Sequence, residues 1–91
     1  MPTRVTWLGH ATLLVSTADH KILIDPFFTG NPACPMSADE VTADFILVSH
    51  GHDDHIGDAI AIARRTGAMV VANFEIAEWL TRQGLEMLLT L

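Results

Sequence analysis

The chain has 91 residues, which suits one small domain. Five Lys and Arg face eleven Asp and Glu, for a net charge of −6, which argues against a nucleic-acid or anionic-membrane surface. The single cysteine, Cys34, excludes an intrachain disulfide, and no apolar run approaches the ~20 residues needed to span a bilayer. The first fifteen residues show no basic segment ahead of a long apolar run, so no signal peptide is expected. These features predict one soluble, cytoplasmic domain over residues 1–91.

The segments RVTWLGH and ATLLVST are rich in β-branched and aromatic residues and predict two strands, with Gly9 at a turn or bulge between them. ADHK supplies turn chemistry, and KILID predicts a third strand that stops at Asp25, before Pro26. The proline-rich stretch 26–44 reads as a long loop. FILVS then suits a buried strand. DDHIGDAIAIARRTG reads as a helix with Asp53 as N-cap, Ile56, Ile60 and Ala63 on one face, and Gly67 at its C-terminus. AMVVAN predicts a strand. NFEIAEWLTRQG predicts a helix capped by Asn73, braced by Glu78 and Arg82 and ended at Gly84. Trp7 and Trp79 are expected to anchor the core, and Arg64-Arg65 to form a solvated helix face. The order β-β-β-loop-β-α-β-α predicts an α/β fold with helices packed on a sheet. The tail LEMLLTL is mostly apolar where a turn and another strand are expected.

The stretch SHGHDDHIGD, residues 49–58, holds three of the five histidines. His50 and His52 are two apart at a strand end, and alternate residues of extended backbone point the same way. Both imidazoles can therefore converge on one ion. Asp54 and His55 follow in the first predicted helical turn and can serve a second position. The partial positive charge at a helix start disfavours protonated imidazole at His55 and favours ionised Asp54. Nitrogen and carboxylate donors suit Zn²⁺ and also Fe, Mn or Co. A bound metal lowers the pKa of its water to about 7, and two metals ~3.5–4 Å apart can clamp the attacking and departing oxygens.

HGHDDH is similar to the His-x-His-x-Asp-His signature of the metallo-β-lactamase superfamily. VTWLGHATLLV, ILIDPFFTGNPACP, ILVSHGHDDHIGDA and VVANFEIAEWL together resemble the N-terminal half of its uncharacterised metal-dependent hydrolase branch, relatives of the ascorbate-6-phosphate lactonases. The resemblance runs from about Arg4 to Gly84. It implies half of a four-layer αβ/βα sandwich, with a mostly antiparallel or mixed sheet and two helices on it. It implies that His50 and His52 hold a first metal and Asp54 and His55 a second, with Asp54 also orienting the nucleophilic water. Zn²⁺ is the expected metal, two per complete site, with Mn²⁺ or Fe²⁺ as alternatives. Asp25 matches a position that hydrogen-bonds a ligand imidazole, and His10 would lie near the site. The implied reaction is hydrolysis of an ester, lactone or phosphoester bond in a small molecule.

Members of that superfamily supply a further histidine, a bridging aspartate and a last histidine later in the chain. After His55 this chain has no histidine and only Asp58 as an aspartate, one helical turn away. It is therefore expected to be a truncated, inactive fragment. Two other readings stay open. The chain can be a non-catalytic metal-binding module, through His50, His52 and His55 with Cys34 as a fourth ligand. It can also be a half-domain that pairs with a second copy through an uncovered sheet face.

Overall fold

The computed structural model describes residues 3–9, 12–26, 40–49 and 58–90. Six strands form one sheet in sequential order: β1 (Arg4–Trp7), β2 (Leu13–Ser16), β3 (Lys21–Ile24), β4 (Phe45–Val48), β5 (Met69–Ala72) and β6 (Leu88–Thr90). Helix α1 (Ala59–Thr66) joins β4 to β5, and α2 (Phe74–Arg82) joins β5 to β6. The β1-β2 and β2-β3 pairings are antiparallel, while β3-β4, β4-β5 and β5-β6 are parallel. The sheet is thus mixed and not mostly antiparallel; α1 and α2 supply the long crossovers that the parallel pairs β4-β5 and β5-β6 require. The tail that looked out of place in the sequence provides β6, the third strand added in parallel.

Local chemistry explains most element boundaries. The β2-β3 turn closes through Thr17, whose N–H donates to His20 O at 2.8 Å and whose hydroxyl accepts from His20 N at 3.0 Å. Gly9 sits at φ 96°, open to glycine, and its carbonyl accepts from Thr12 N at 3.0 Å, which makes it a turn. Gly67 ends α1 at φ 75° with its N–H on Ala63 O. Asn73 caps α2, its side chain accepting from Ile76 N at 3.0 Å, and Arg82 reaches Glu78 at 2.7 Å one turn below.

In α1 the buried stripe is Ala59, Ile62 and Ala63, with Ile60 half-buried. The expected face keeps Ala63 but is displaced by about a fifth of a turn, with Ile62 and Ala59 buried more deeply than Ile60; Ile56 and Asp53 lie outside the described residues. Asp58 precedes the helix and is buried, without a side-chain capping bond. Arg64 and Arg65 are exposed, as a solvated helix face requires, and each is also a tether. Arg64 donates to Gln83 O at 2.6 Å, tying α1 to the end of α2, and Arg65 donates to Val41 O ahead of β4.

The two faces of the sheet differ. Leu23, Ile46, Val48, Val70 and Ala72 are buried under the helices with Ile62, Ile76, Ala77 and Leu80. Sequential parallel strands joined by right-handed crossovers place every crossover helix on one side. The register puts Val5, Val15, Ile22, Phe45 and Met69 on the opposite face, in line with Trp7, Leu13, Ile24, Leu47, Val71 and Leu89. Every one of these is apolar, and none is buried. Trp7, 62% exposed, is therefore not a core anchor: it stands on this bare face at the edge strand. Trp79 is 44% exposed on the outer side of α2. Among the described residues, no helix is long and apolar enough to cross a membrane.

Candidate metal centre

Strands β3, β4 and β5 run parallel, so their carboxyl ends share one edge of the sheet. Loops at that edge are where open α/β sheets bind ligands. Asp25 follows β3 there, Ser49 follows β4, and Asn73 follows β5. The HGHDDH segment begins at the residue after Ser49. The sequence signature therefore emerges from the interior of the sheet, at the edge where a site is expected.

Asp25 anchors this corner. It is 4% exposed and adopts φ 49°, a left-handed conformation that costs an ordinary L-residue about 1–2 kcal/mol and that aspartate tolerates better than most. All of its polar groups are engaged. Its N–H donates to Leu47 O at 2.8 Å, and its carbonyl accepts from the Thr12 hydroxyl at 2.7 Å. One carboxylate oxygen accepts from Ser49 N at 2.6 Å and the other from Ser49 Oγ at 2.5 Å. Short bonds to an ionised acceptor are stronger than neutral ones. The strained backbone is held by contacts from β2 and β4 together, a pattern found where a structure depends on one side-chain direction.

The expected partner of Asp25 was a ligand imidazole. Among the described residues its carboxylate meets Ser49, directly before His50, while the imidazoles lie outside the described residues. The four expected donors His50, His52, Asp54 and His55, together with His10 and Cys34, all lie outside the described residues. Accordingly, among the described residues no group of three or more His, Cys, Asp or Glu is placed to hold a metal. The chemistry of the donor set fits a divalent ion: three neutral-capable imidazoles and a carboxylate within six positions. A buried aspartate fixing the residue next to the first donor is the kind of outer support that metal ligands receive.

Three contributors were not singled out from the sequence: Ser49, Thr12 and Pro26. For Ser49 the usable signal was its position between an apolar strand and the first histidine of the cluster. Pro26 O accepts from Asp58 N at 3.4 Å, so the start of α1 also rests on this corner. A separate groove of about 400 Å³ lies between α2 and β6, lined by Phe74, Ala77, Glu78, Thr81, Arg82 and Thr90. Its two charged side chains pair with each other, so it offers no comparable donor set.

The chain is similar to known proteins along most of its length. The family profile described as "Beta-lactamase superfamily domain" matches residues 4–83. A UPF0173 metal-dependent hydrolase of Heliobacterium modesticaldum is 57% identical over 82 residues, covering 90% of this chain and 34% of that protein. A counterpart from Carboxydothermus hydrogenoformans is 53% identical over 83 residues, covering 91% and 37%. The chain thus spans about a third of the length of the curated relatives it matches. Among solved structures, Igni18, a metallo hydrolase from the archaeon Ignicoccus hospitalis, superposes with a TM-score of 0.87 at 33% identity, over 98% of this chain and 39% of that one.

Proposed function

Because the chain belongs to the β-lactamase superfamily domain family, we propose that it forms the N-terminal, metal-holding portion of a metal-dependent hydrolase. The observation that carries this reading is the Asp25–Ser49 clamp at the carboxyl edge of the sheet, directly ahead of HGHDDH. The names of the relatives, metal-dependent and metallo hydrolases, support it.

In this reading His50 and His52 hold one Zn²⁺, and Asp54 and His55 hold a second, with Mn²⁺ or Fe²⁺ as alternatives. When bound, the metal supplies Lewis acidity and a nucleophile at neutral pH. Asp54 orients the attacking water with its carboxylate. Asp25 and Ser49 fix the exit of β4, and His10 lies near the site. The substrate is a small molecule with an ester, lactone or phosphoester bond. The 91 residues supply two donors to each metal position, whereas a catalytic zinc site needs three protein ligands and an open position. The chain by itself therefore binds metal without turnover.

The test loads the chelator-stripped chain with Zn²⁺, Mn²⁺ or Fe²⁺. Retained metal is then measured by mass spectrometry, and hydrolysis is measured across ester, lactone and phosphodiester substrates. The wild type should retain metal, His50→Ala should lose it, and neither should turn over substrate. Metal-dependent turnover by the wild type would refute the incomplete site, and no retention at all would refute the metal reading.

The bare sheet face favours a second reading, in which two copies pair through it. Six strands about 4.8 Å apart and about four residues long present roughly 350 Å² of projected apolar surface. That is comparable to the largest apolar patch on a typical soluble monomer, which is often functional. Val5 at 61% exposure, Trp7 at 62% and Leu89 at 54% stand highest on it.

A further inference from the structure

Strand β6 closes one side of the sheet, and part of its backbone is turned outward. The bond from Val70 N–H to Met87 O, at 2.9 Å, fixes the parallel ladder between β5 and β6. In such a ladder alternate residues of a strand bond the same neighbour. Met87 and Leu89 therefore face β5, and the N–H and C=O of Leu88 and Thr90 point away from it. Among the described residues no strand lies beyond them. Open edges are usually guarded by charge or proline. The opposite edge has Arg4 in β1 and Pro2 just ahead of it, whereas residues 87–91, MLLTL, carry neither. We propose that the outer edge of β6 pairs antiparallel with β6 of a second copy, about a two-fold axis that passes through Leu89 perpendicular to the sheet. This contact involves neither the metal segment nor a stacking of the bare faces.

The edge is complementary to itself. With Leu89 on the axis, Leu88 of each copy lies opposite Thr90 of the other, and each such pair exchanges two backbone bonds. The outward groups of both residues are then all satisfied. The helices agree with this spacing. Helix α2 packs over β5 and β6, so about two strand spacings, ~10 Å, separate it from its mate. Helices pack at about 8–10 Å. Phe74, Glu78 and Arg82 lie one turn apart on the side of α2 that faces Thr90 and the open edge. The two-fold axis sets the helices antiparallel, so Arg82 of one is brought toward the exposed ring of Phe74 on the other, a cation against an aromatic face. A pair made through this one edge closes at two copies and leaves the guarded edge at β1 outside.

Cross-linking separates this edge from a stacking of faces. Residues opposite each other in a non-hydrogen-bonded pair have Cα atoms about 4.5 Å apart, inside the roughly 4.4–6.8 Å span of a disulfide. Stacked sheets stand about 10 Å apart, too far for one. The experiment places Leu89→Cys in the full 91-residue chain together with Cys34→Ser, oxidises it with diamide, and follows linked dimers on non-reducing gels. Val5→Cys, of similar exposure on the opposite edge strand, gives the background. Leu89→Cys should link about 10-fold faster than Val5→Cys, or more. Adding Thr90→Pro removes an outward N–H and no bond to β5. It should cut linking about 10-fold or more while circular dichroism shows the fold intact. Where Thr90→Pro unfolds the chain, Thr90→Lys, which sets a charge into the edge, takes its place. Linking by Leu89→Cys no faster than by Val5→Cys overturns the inference. So does linking that survives Thr90→Pro, or Thr90→Lys where that variant is used.

Discussion

Replacing Asp25 separates what its backbone and its carboxylate contribute. The carboxylate accepts two short bonds from Ser49, at 2.6 and 2.5 Å. A hydrogen bond to a charged group contributes about 1.5–3 kcal/mol. Ser49 is exposed, so water can take up its N–H and hydroxyl once the carboxylate is gone. Discounting by about half leaves a loss of roughly 2–3 kcal/mol for the pair. The backbone then distinguishes the variants, since φ 49° suits glycine and penalises alanine. That penalty, less the greater freedom of unfolded glycine, leaves Asp25→Ala about 0.5–1 kcal/mol below Asp25→Gly. Asp25→Asn keeps one acceptor and tolerates the left-handed region, so it should be mildest. In a domain of this size about 1 kcal/mol moves the melting temperature by about 4–8 °C. Asp25→Ala should therefore melt roughly 10–25 °C below wild type, with Asp25→Gly between alanine and asparagine. Thermal melts followed by circular dichroism measure the order. An alanine variant within about 0.5 kcal/mol of wild type, or one more stable than the glycine variant, would refute the reasoning.

Removing the cap of α2 by Asn73→Ala should cost about 1 kcal/mol, seen as a lower urea midpoint, because Ile76 N loses its acceptor at a helix start. Charging the bare face should act on association and not on folding. Leu89→Lys and Val5→Lys sit at opposite edges of the sheet and are more than half exposed. Each should shift sedimentation at high concentration toward the monomer, with stability within about 0.5 kcal/mol of wild type. A wild-type chain that sediments as a monomer at every concentration would remove the paired-copy reading.

Much of the fold was legible because it follows from chemistry within a few residues. Asn73 and Gly67 mark helix ends through their own side chain or lack of one, and Glu78 and Arg82 meet because they are one turn apart. The alternation of β-branched and apolar residues marked the strands. The histidine spacing identified the metal signature and the family. What misled was local reading of long-range facts. Trp7 and Trp79 read as core anchors because large aromatics usually bury. Whether they do depends on which faces are covered, and the covered face was decided by crossover handedness. Arg64 and Arg65 are exposed as read, but their carbonyl partners, Gln83 and Val41, were not legible because they lie about twenty residues away in the chain.

The sequence by itself determined most of the elements, their order and the family, since each of these is written in spacing and residue type. Only the tertiary structure decided that Asp25 meets Ser49. They are 24 positions apart, and the contact exists because β3 and β4 pair in parallel with Ile24 opposite Leu47. It also decided that one face of the sheet is bare. Residues alternating along a strand show that two faces are apolar, but only the packing of α1 and α2 on the same side determines which one the helices bury.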